Sequence, residues 1–418
     1  MNYEDKALRY HSEPLPGKIS ISITKRCETA DDLSMAYTPG VAGPCRAIEK
    51  NPLMAGKYTV RDNLVGVITN GTAVLGLGNI GPLASKPVME GKSVLFKKFA
   101  GIDVFDLEID ESEPDRFISI VKSMEPTFGG INLEDIRAPE CFYIEEQLKE
   151  KMDIPVFHDD QHGTAVIATA GLINALEITG KDPACIRMIV SGAGAAALSC
   201  IDMFMKQGIR RENIFVFDSN GMLSKERDYI NDYKKQFAFH EKSRTMDSIT
   251  QNADLFLGLS VKGVLKPGML KSMNRDPIVF ALANPDPEID YHTACQVRDD
   301  VIMATGRSDY PNQINNVLGF PFIFRGALDC GAVSITQSMK LAAAESLASI
   351  ARERTPDSVK SIYGKDLQFG RHYFIPKPFD RRVFVEESTA VLKAALNEKV
   401  NRKQIDPVKY RNKLEEMI

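Results

Sequence analysis

The chain has no Cys-x-x-Cys pair, no excess of basic residues and no long uninterrupted apolar run, and each absence removes a class of function. Its seven cysteines, at positions 27, 45, 141, 185, 200, 295 and 330, are odd in number and widely spaced. They fit neither a disulfide framework nor a structural zinc site, and read as reduced thiols, most of them in apolar settings, of a cytoplasmic protein. The 52 Lys and Arg stand against 56 Asp and Glu, a net charge of −4 with the basic residues scattered, so no electrostatic footprint for nucleic acid is present. No apolar stretch reaches the ~18 residues that a membrane span requires. The opening segment MNYEDKALRYHSEPLPGK carries acidic residues and no apolar centre, unlike a signal peptide. Internal repeats and low-complexity tracts are also missing. What remains is a chain of 418 residues, too long for one ordinary core, for which two domains are expected.

The pattern of elements is α/β. A short helix is expected over Asn2 to Arg9, followed by a proline-broken arm. LVGVITNG reads as a buried strand ended by Asn-Gly, SVLFKKFAG and DVFDLEI as further strand-like runs, and PDRFISIVKSM as a helix. After Gly163 the small-residue segment TAVIATAGLINALEITG predicts a helix, and IRMIVSGAGAAALSCIDMFMKQG a strand, a glycine turn and a helix. NIFVFDSNG, LFLGLS, IVFALANP and VIMATG are short apolar runs with polar ends, as in a parallel sheet covered on both faces. A long Ala-rich helix is expected from Ser334 to Arg352, and charged helix from Thr389 to Met417. The expected architecture is a smaller mixed α/β N-terminal domain over 1–160, a doubly wound Rossmann-type nucleotide domain over 161–385, and a C-terminal helical extension over 386–418.

Two stretches satisfy the dinucleotide glycine pattern, Gly76-Leu-Gly78-Asn-Ile-Gly81 and Gly192-Ala-Gly194-Ala-Ala-Ala197. The pattern needs a strand before it and a helix after it, because the helix N-terminus offers free N–H groups and partial positive charge to a pyrophosphate. Pro82, Pro87 and Gly91 after the first loop argue against a long helix, whereas twelve residues without a breaker follow Gly194. The nucleotide is therefore assigned to Gly192, Gly194, Ala195 and Ala197, with Asp218 at the end of the next strand accepting from the adenine ribose. Asp218-Ser219-Asn220 offers no base for a 2′-phosphate, which favours NAD over NADP, although Lys225 or Arg227 stands further along. The first loop is expected to fold around the substrate.

The segment VFHDDQHGTAV places adjacent Asp159 and Asp160 between an apolar strand and a helix, and Glu134 and Asp135 end another apolar run in GGINLEDIRAPE. Loop carboxylates are ordinarily solvated or cap helices. Converging from two loops, however, three or four hard oxygen donors suit Mg²⁺ or Mn²⁺ better than zinc. His158 and His162 flank the acid pair, but the strand-like run and Gly163 argue against a helix there, and both read as polar packing.

These segments occur in one order with AYTPGVAGPCRAIEKNP at 36–52, MEGKSVLF, ANPDPE at 283–288 and ATGRSDYPNQINNVLGFPFIFRGALD at 304–329. Together they resemble the malic enzymes in their short bacterial-type form, over roughly residues 10–390. The resemblance implies Lys92 as the general base, Tyr37 as the acid that protonates the enol, Glu134, Asp135 and Asp160 as metal ligands, and Asp159 as the hydrogen-bond partner of the lysine. It further implies that Asn284 and one of Asn315 and Asn316 contact substrate carboxylate and nicotinamide ribose. A lysine titrates normally near ~10.4, so base action requires burial or a neighbouring cation to depress it. Where larger malic enzymes carry an arginine clamp before the first glycine loop, this chain has Ala73.

The implied reaction is oxidative decarboxylation of (S)-malate to pyruvate and CO₂ with reduction of NAD(P)⁺, by a homodimer. An oxaloacetate decarboxylase or a malate-to-lactate enzyme on the same site is the alternative, since hydride transfer and decarboxylation are separable steps. A non-catalytic nucleotide sensor would be expected to lack part of the set that is complete here.

Overall fold

The computed structural model describes residues 2–74, 76–364 and 367–417. Four parallel strands, β1 (Leu64–Thr69), β2 (Asp103–Glu108), β3 (Gly130–Leu133) and β4 (Val156–His158), form a first sheet in the order β2-β1-β3-β4. A second sheet comprises β5 (Met188–Ser191), β6 (Ile214–Asp218), β7 (Gly221–Met222), β8 (Leu255–Gly258), β9 (Ile278–Ala281) and β10 (Ile302–Thr305) in the order β10-β9-β8-β5-β6-β7. All its pairings are parallel except β6 with β7. The central strands are buried along their whole length, which is why they read as continuous Val/Ile/Phe/Leu runs rather than alternating patterns. Strand order reverses at β5, with β6 on one side and β8 on the other. The ends of the strands there open a crevice suited to a ligand.

The helix Asp159–Thr179 runs from the first sheet toward the second. It is buried on nearly every side, packing against the helices Ala195–Lys206 and Gln337–Arg352. Its Ala and Gly residues allow that close approach. Asn174, buried within it, donates to the carbonyls of Ala348 and Phe374 at 3.0 and 2.8 Å. A helix Phe320–Cys330 meets the helix Pro82–Ala100 of the first half through Phe96, whose ring lies 4.7 Å from Phe320 and 5.3 Å from Phe324. Phe324 also touches Phe157 of β4 at 5.9 Å. The helix Arg381–Glu398, which runs through the expected boundary at 385, packs on Phe320–Cys330 and Gln337–Arg352.

Local expectations fail in three places. SVLFKKFAG is the second half of the helix Pro82–Ala100, and Pro82, Pro87 and Gly91 do not prevent that helix. Pro82 occupies its first turn, where the missing N–H is harmless. Met89, Ser93, Phe96 and Ala100 recur at helical spacing on its buried face, and that burial outweighs the bond Pro87 removes. The helix after β4 begins at Asp159 rather than beyond Gly163, so His162 is helical. Glycine at 163 makes room instead of ending the helix: a Cβ there would meet Asp159 Oδ1 at 2.1 Å and Asn316 Cγ at 2.9 Å. Cysteines 27, 45 and 185 are exposed, only Cys141, Cys200 and Cys330 are buried, and Cys295 is intermediate.

No described residue before Leu64 is buried. The N-terminal helix Tyr3–Ser12, capped by Asn2, and the segment after it expose Tyr3, Leu8, Leu15, Ile21, Ile23, Met35 and Tyr37. Lys18 joins this arm to the body by donating from its N–H to Glu90 at 2.9 Å and from Nζ to the Pro87 carbonyl at 2.6 Å.

Phe324→Ala is expected to cost about 3–5 kcal/mol, because the ring fills the junction between the two halves and little backbone is free to collapse on the void. The urea midpoint should fall without change of slope.

Candidate active site

The C-terminal ends of β3 and β4 bring four carboxylates and one ammonium together. Lys92, midway along the helix Pro82–Ala100, reaches Asp159 Oδ2 at 2.6 Å and Glu134 Oε1 at 2.9 Å, and its Nζ lies 4.3 Å above the ring of Phe320. Asp159, in the first turn of its helix, is 0% exposed. Its neighbour Asp160 points elsewhere and accepts the backbone N–H of Asp135 at 2.7 Å. Asp135 holds φ = +54°, a left-handed conformation that a non-glycine residue adopts at a cost and that recurs where a site demands it. Asn132, inside the buried strand β3, donates to Glu134 Oε2 at 2.9 Å.

Glu134, Asp135 and Asp160 present oxygens within 4.8 Å of one another. Burial foremost pushes the Glu134 carboxyl well above its usual range, repulsion from Asp160, Asp159 and Asp135 adds to this, and Lys92 opposes them. Crowding carboxylates together disfavours their charged forms, and a bound cation would relieve that crowding. The donor set is all hard oxygen, and Asp160 keeps its side chain 38% exposed, so the group fits Mg²⁺ or Mn²⁺ with a side open to solvent. His158 stands beside this group, with Nδ1 3.9 Å from Asp160 Oδ2, and His162 lies outside it. His158 is fully buried, and His162 lies between Glu145, at 2.9 Å, and Lys340 Nζ, at 3.3 Å. Burial foremost lowers His162 to about 3, making it a neutral packing group.

The lysine is not depressed as general-base action would require. Burial would lower it, but the charges of Asp159 and Glu134 and their hydrogen bonds more than reverse this, and the net shift is upward. In this arrangement Lys92 is a firmly protonated ammonium.

Of the asparagines, Asn316 faces this cluster. Its Nδ2 donates to Asp159 Oδ2 at 3.0 Å, and its Oδ1 accepts from Thr164 at 3.0 Å. Asn315 instead caps the turn that follows, accepting the Val317 N–H at 3.0 Å. Asn284 lies after β9, packed close to Gly306 beyond β10. Tyr37 is not brought to the cluster: it ends the short helix Ala30–Ala36 with 72% of its surface exposed. Ala73 donates its N–H to the Asp135 carbonyl at 2.9 Å, tying the Gly76–Gly81 turn to the carboxylate loop.

At the end of β5, a cleft of about 520 Å³ is lined by Ser191, Gly192, Gly194, Asp218 and Lys234 and bounded across by Pro139 and Phe142. Gly192, at φ = +108°, lies so close to the Leu259 carbonyl that a Cβ would meet it at 2.2 Å. Gly194 is the N-cap of Ala195–Lys206, so that helix aims its free N–H groups into the cleft, and Ala197 is buried in its first turn. Asp218 is not without basic neighbours. Arg227 donates to its two oxygens at 3.0 and 3.4 Å, and Lys234 donates at 3.0 Å. Burial raises the Asp218 carboxyl, but these bonds outweigh it and lower it overall. Lys225 turns to Glu241 instead. Lys234 was missed in the sequence because it lies sixteen residues after Asp218, in a stretch whose regular elements are only two and four residues long; Asn132 could have been found as a lone amide within an apolar strand.

No helix among the described residues is long and apolar enough to cross a membrane. Residues 16–149 match the family model described as malic enzyme, N-terminal domain, and residues 161–365 match malic enzyme, NAD binding domain. The NADP-dependent malic enzyme of Salmonella typhimurium is 56% identical over 419 residues, covering 99% of this chain and 55% of that protein. An NAD-dependent malic enzyme of Rhizobium meliloti is 55% identical over 394 residues, covering 94% of this chain and 51% of that protein. The chain thus spans about half the length of these two relatives. The crystal structure of the malic enzyme from Pyrococcus horikoshii Ot3 superimposes with a TM-score of 0.89 at 42% identity, over 100% of this chain and 96% of that one. Two matching domain models and relatives of this identity along nearly its whole length establish that the chain belongs to the malic enzyme family.

Proposed function

We propose that this protein catalyses the oxidative decarboxylation of (S)-malate to pyruvate and CO₂, reducing a nicotinamide dinucleotide, with a divalent cation on Glu134, Asp135 and Asp160. The observation that carries this reading is Lys92 bridging Asp159 and Glu134 beside that carboxylate group, in a chain whose second sheet carries a glycine-lined cleft. Lys92, as the neutral amine, would take the proton of the carbon 2 hydroxyl, and a bound nicotinamide would accept the hydride from carbon 2. The bond between carbons 3 and 4 then breaks with loss of CO₂, and the resulting enol is protonated at carbon 3. A bound Mg²⁺ or Mn²⁺ supplies Lewis acidity that stabilises negative charge on the carbon 2 oxygen. A cation held by Glu134, Asp135 and Asp160 would leave Lys92 with Asp159 as its carboxylate partner, and the cation's positive charge would favour the neutral amine that general-base action needs. Asn316 holds Asp159 in place, and Asn284 and Asn316 face the substrate and nicotinamide ribose, with Asn315 forming the turn that presents Asn316.

Tyr37 as the acid for the enol is best supplied by a second copy. It is exposed in its own subunit, on an arm with no buried residue and many exposed apolar ones, and such an apolar surface fits a homodimer interface. The seven free thiols support a cytoplasmic setting. For the dinucleotide we infer a preference for NADP. Both oxygens of Asp218 are taken by Arg227 and Lys234, which leaves little acceptor capacity for a ribose diol and places two cations against one carboxylate.

Absorbance at 340 nm should rise with malate, Mn²⁺ and NADP⁺, and Lys92→Ala should cut the rate by about 10²–10⁴-fold. No rise, with oxaloacetate still decarboxylated or lactate formed, would move the assignment to the non-reducing alternative. Co-expressed Tyr37→Phe and Lys92→Ala chains, each nearly inactive alone, should recover up to about a quarter of the normal activity, since mixed dimers keep one intact site. Replacing Arg227 and Lys234 together by alanine should raise KM for NADP⁺ about tenfold more than for NAD⁺, a difference of ~1.4 kcal/mol.

Mn²⁺ at about 100 times its Kd should stabilise the fold by about 2.7 kcal/mol, read as a rise in Tm, and Asp135→Asn should abolish the rise. Because the Glu134 carboxyl is raised in the metal-free protein, protons compete with the cation, so the rise in Tm should shrink as pH falls.

A further inference from the structure

Glu288 is a fully buried carboxylate for which the reaction above has no use. Its Oε1 accepts the Ser260 N–H at 2.8 Å and the Ser260 hydroxyl at 3.2 Å, and its Oε2 accepts the Ala283 N–H at 3.0 Å. No salt bridge to it occurs among the described residues. Burial raises its pKa, and these hydrogen bonds offset part of the rise. Room for the carboxylate is made by Gly258 at the end of β8, where a Cβ would come within 2.4 Å of Glu288 Cδ.

The groups held by this carboxylate follow two neighbouring strands, β8 and β9, and one of them reaches across to β5. Ser260, which follows β8 and lines the cleft, shares a 2.8 Å hydrogen bond with Ser191, the residue before Gly192 at the end of β5. Ala283 follows β9 and precedes Asn284. One side chain therefore fixes, through Ser260 and Ala283, the ends of three neighbouring parallel strands at the ligand edge of the sheet.

We propose that Glu288 is a positioning residue that locks the nucleotide loop at Gly192 to the loop carrying Asn284, so that dinucleotide and substrate are held in one register. The inference rests on the reading of the site given above, in which Asn284 faces the substrate. A carboxylate suits the task because all its contacts are donors. Glutamine would turn an NH₂ toward Ser260 or Ala283, and aspartate would be too short to reach both.

The test measures the Kd of NADPH by its fluorescence on the purified chain with Mn²⁺, which needs no turnover, together with KM for malate and Tm. Glu288→Gln should raise the NADPH Kd about tenfold and raise KM for malate as well. Gly258→Ala, which crowds the carboxylate without replacing it, should do the same. Ser260→Ala, which removes the link to Ser191 but leaves the bond to Ala283, should weaken NADPH and leave KM for malate within twofold. Should all three variants lose Tm yet keep NADPH Kd and KM for malate within twofold of the original, Glu288 serves folding only and the proposal falls. If Glu288→Gln does not fold, Ser260→Ala decides by the same NADPH measurement. Failure of malate turnover in the unaltered chain would overturn the reaction while leaving the NADPH comparison able to judge this proposal.

Discussion

The contact on which the site depends is a single ammonium held between two buried carboxylates. Lys92 arrives on a helix of the first half, Glu134 ends a strand of the first sheet, and Asp159 opens the helix that leads to the second. Removing charges from water is costly, and breaking such an arrangement on one side costs about 3–5 kcal/mol because it strands an unpaired charge. Asp135 and Asp160 stand beside Glu134, their oxygens within 4.8 Å of one another. This grouping of hard oxygens is the feature on which the proposed divalent-cation site rests.

Apolar packing holds the charges where they are. Phe320 lies under the Lys92 ammonium, and Phe96, Phe324 and Phe157 continue the cluster between the two sheets. Rigid aromatic contacts fix the distance from helix to carboxylates more closely than loops could. The same economy of space explains Gly163, Gly192 and Gly258, each placed where a Cβ would collide with a functional carboxylate, an amide or a backbone carbonyl.

The second sheet adds the nucleotide cleft at its switch point. Asp218 sits where a ribose diol would be read, yet its oxygens are already satisfied by Arg227 and Lys234. Both bases come from a stretch with little regular structure, so they are positioned by tertiary contacts rather than by the strand that carries Asp218. Across the cleft, Phe142 of the first half stacks on Tyr233 with centroids 4.7 Å apart, so both halves contribute to the walls.

Much of this was legible in the sequence because it depends on local chemistry. The strand-turn-helix around Gly192, the apolar strands of both sheets, and the acid pairs at 134–135 and 159–160 follow from periodicity, glycine placement and hard-oxygen chemistry in short windows. Local rules gave way where long-range packing dominated. Pro87 and Gly91 proved compatible with a helix because one face of that helix is buried, and Gly163 lies inside a helix because its missing side chain admits Asp159. The protonated state of Lys92, the choice of Asn316 over Asn315 at the cluster, and the approach of Lys234 to Asp218 were decided only by the tertiary structure. Each depends on distances between residues tens to hundreds of positions apart, and a charge or pKa is set by what stands within a few ångströms in space, not by neighbours along the chain.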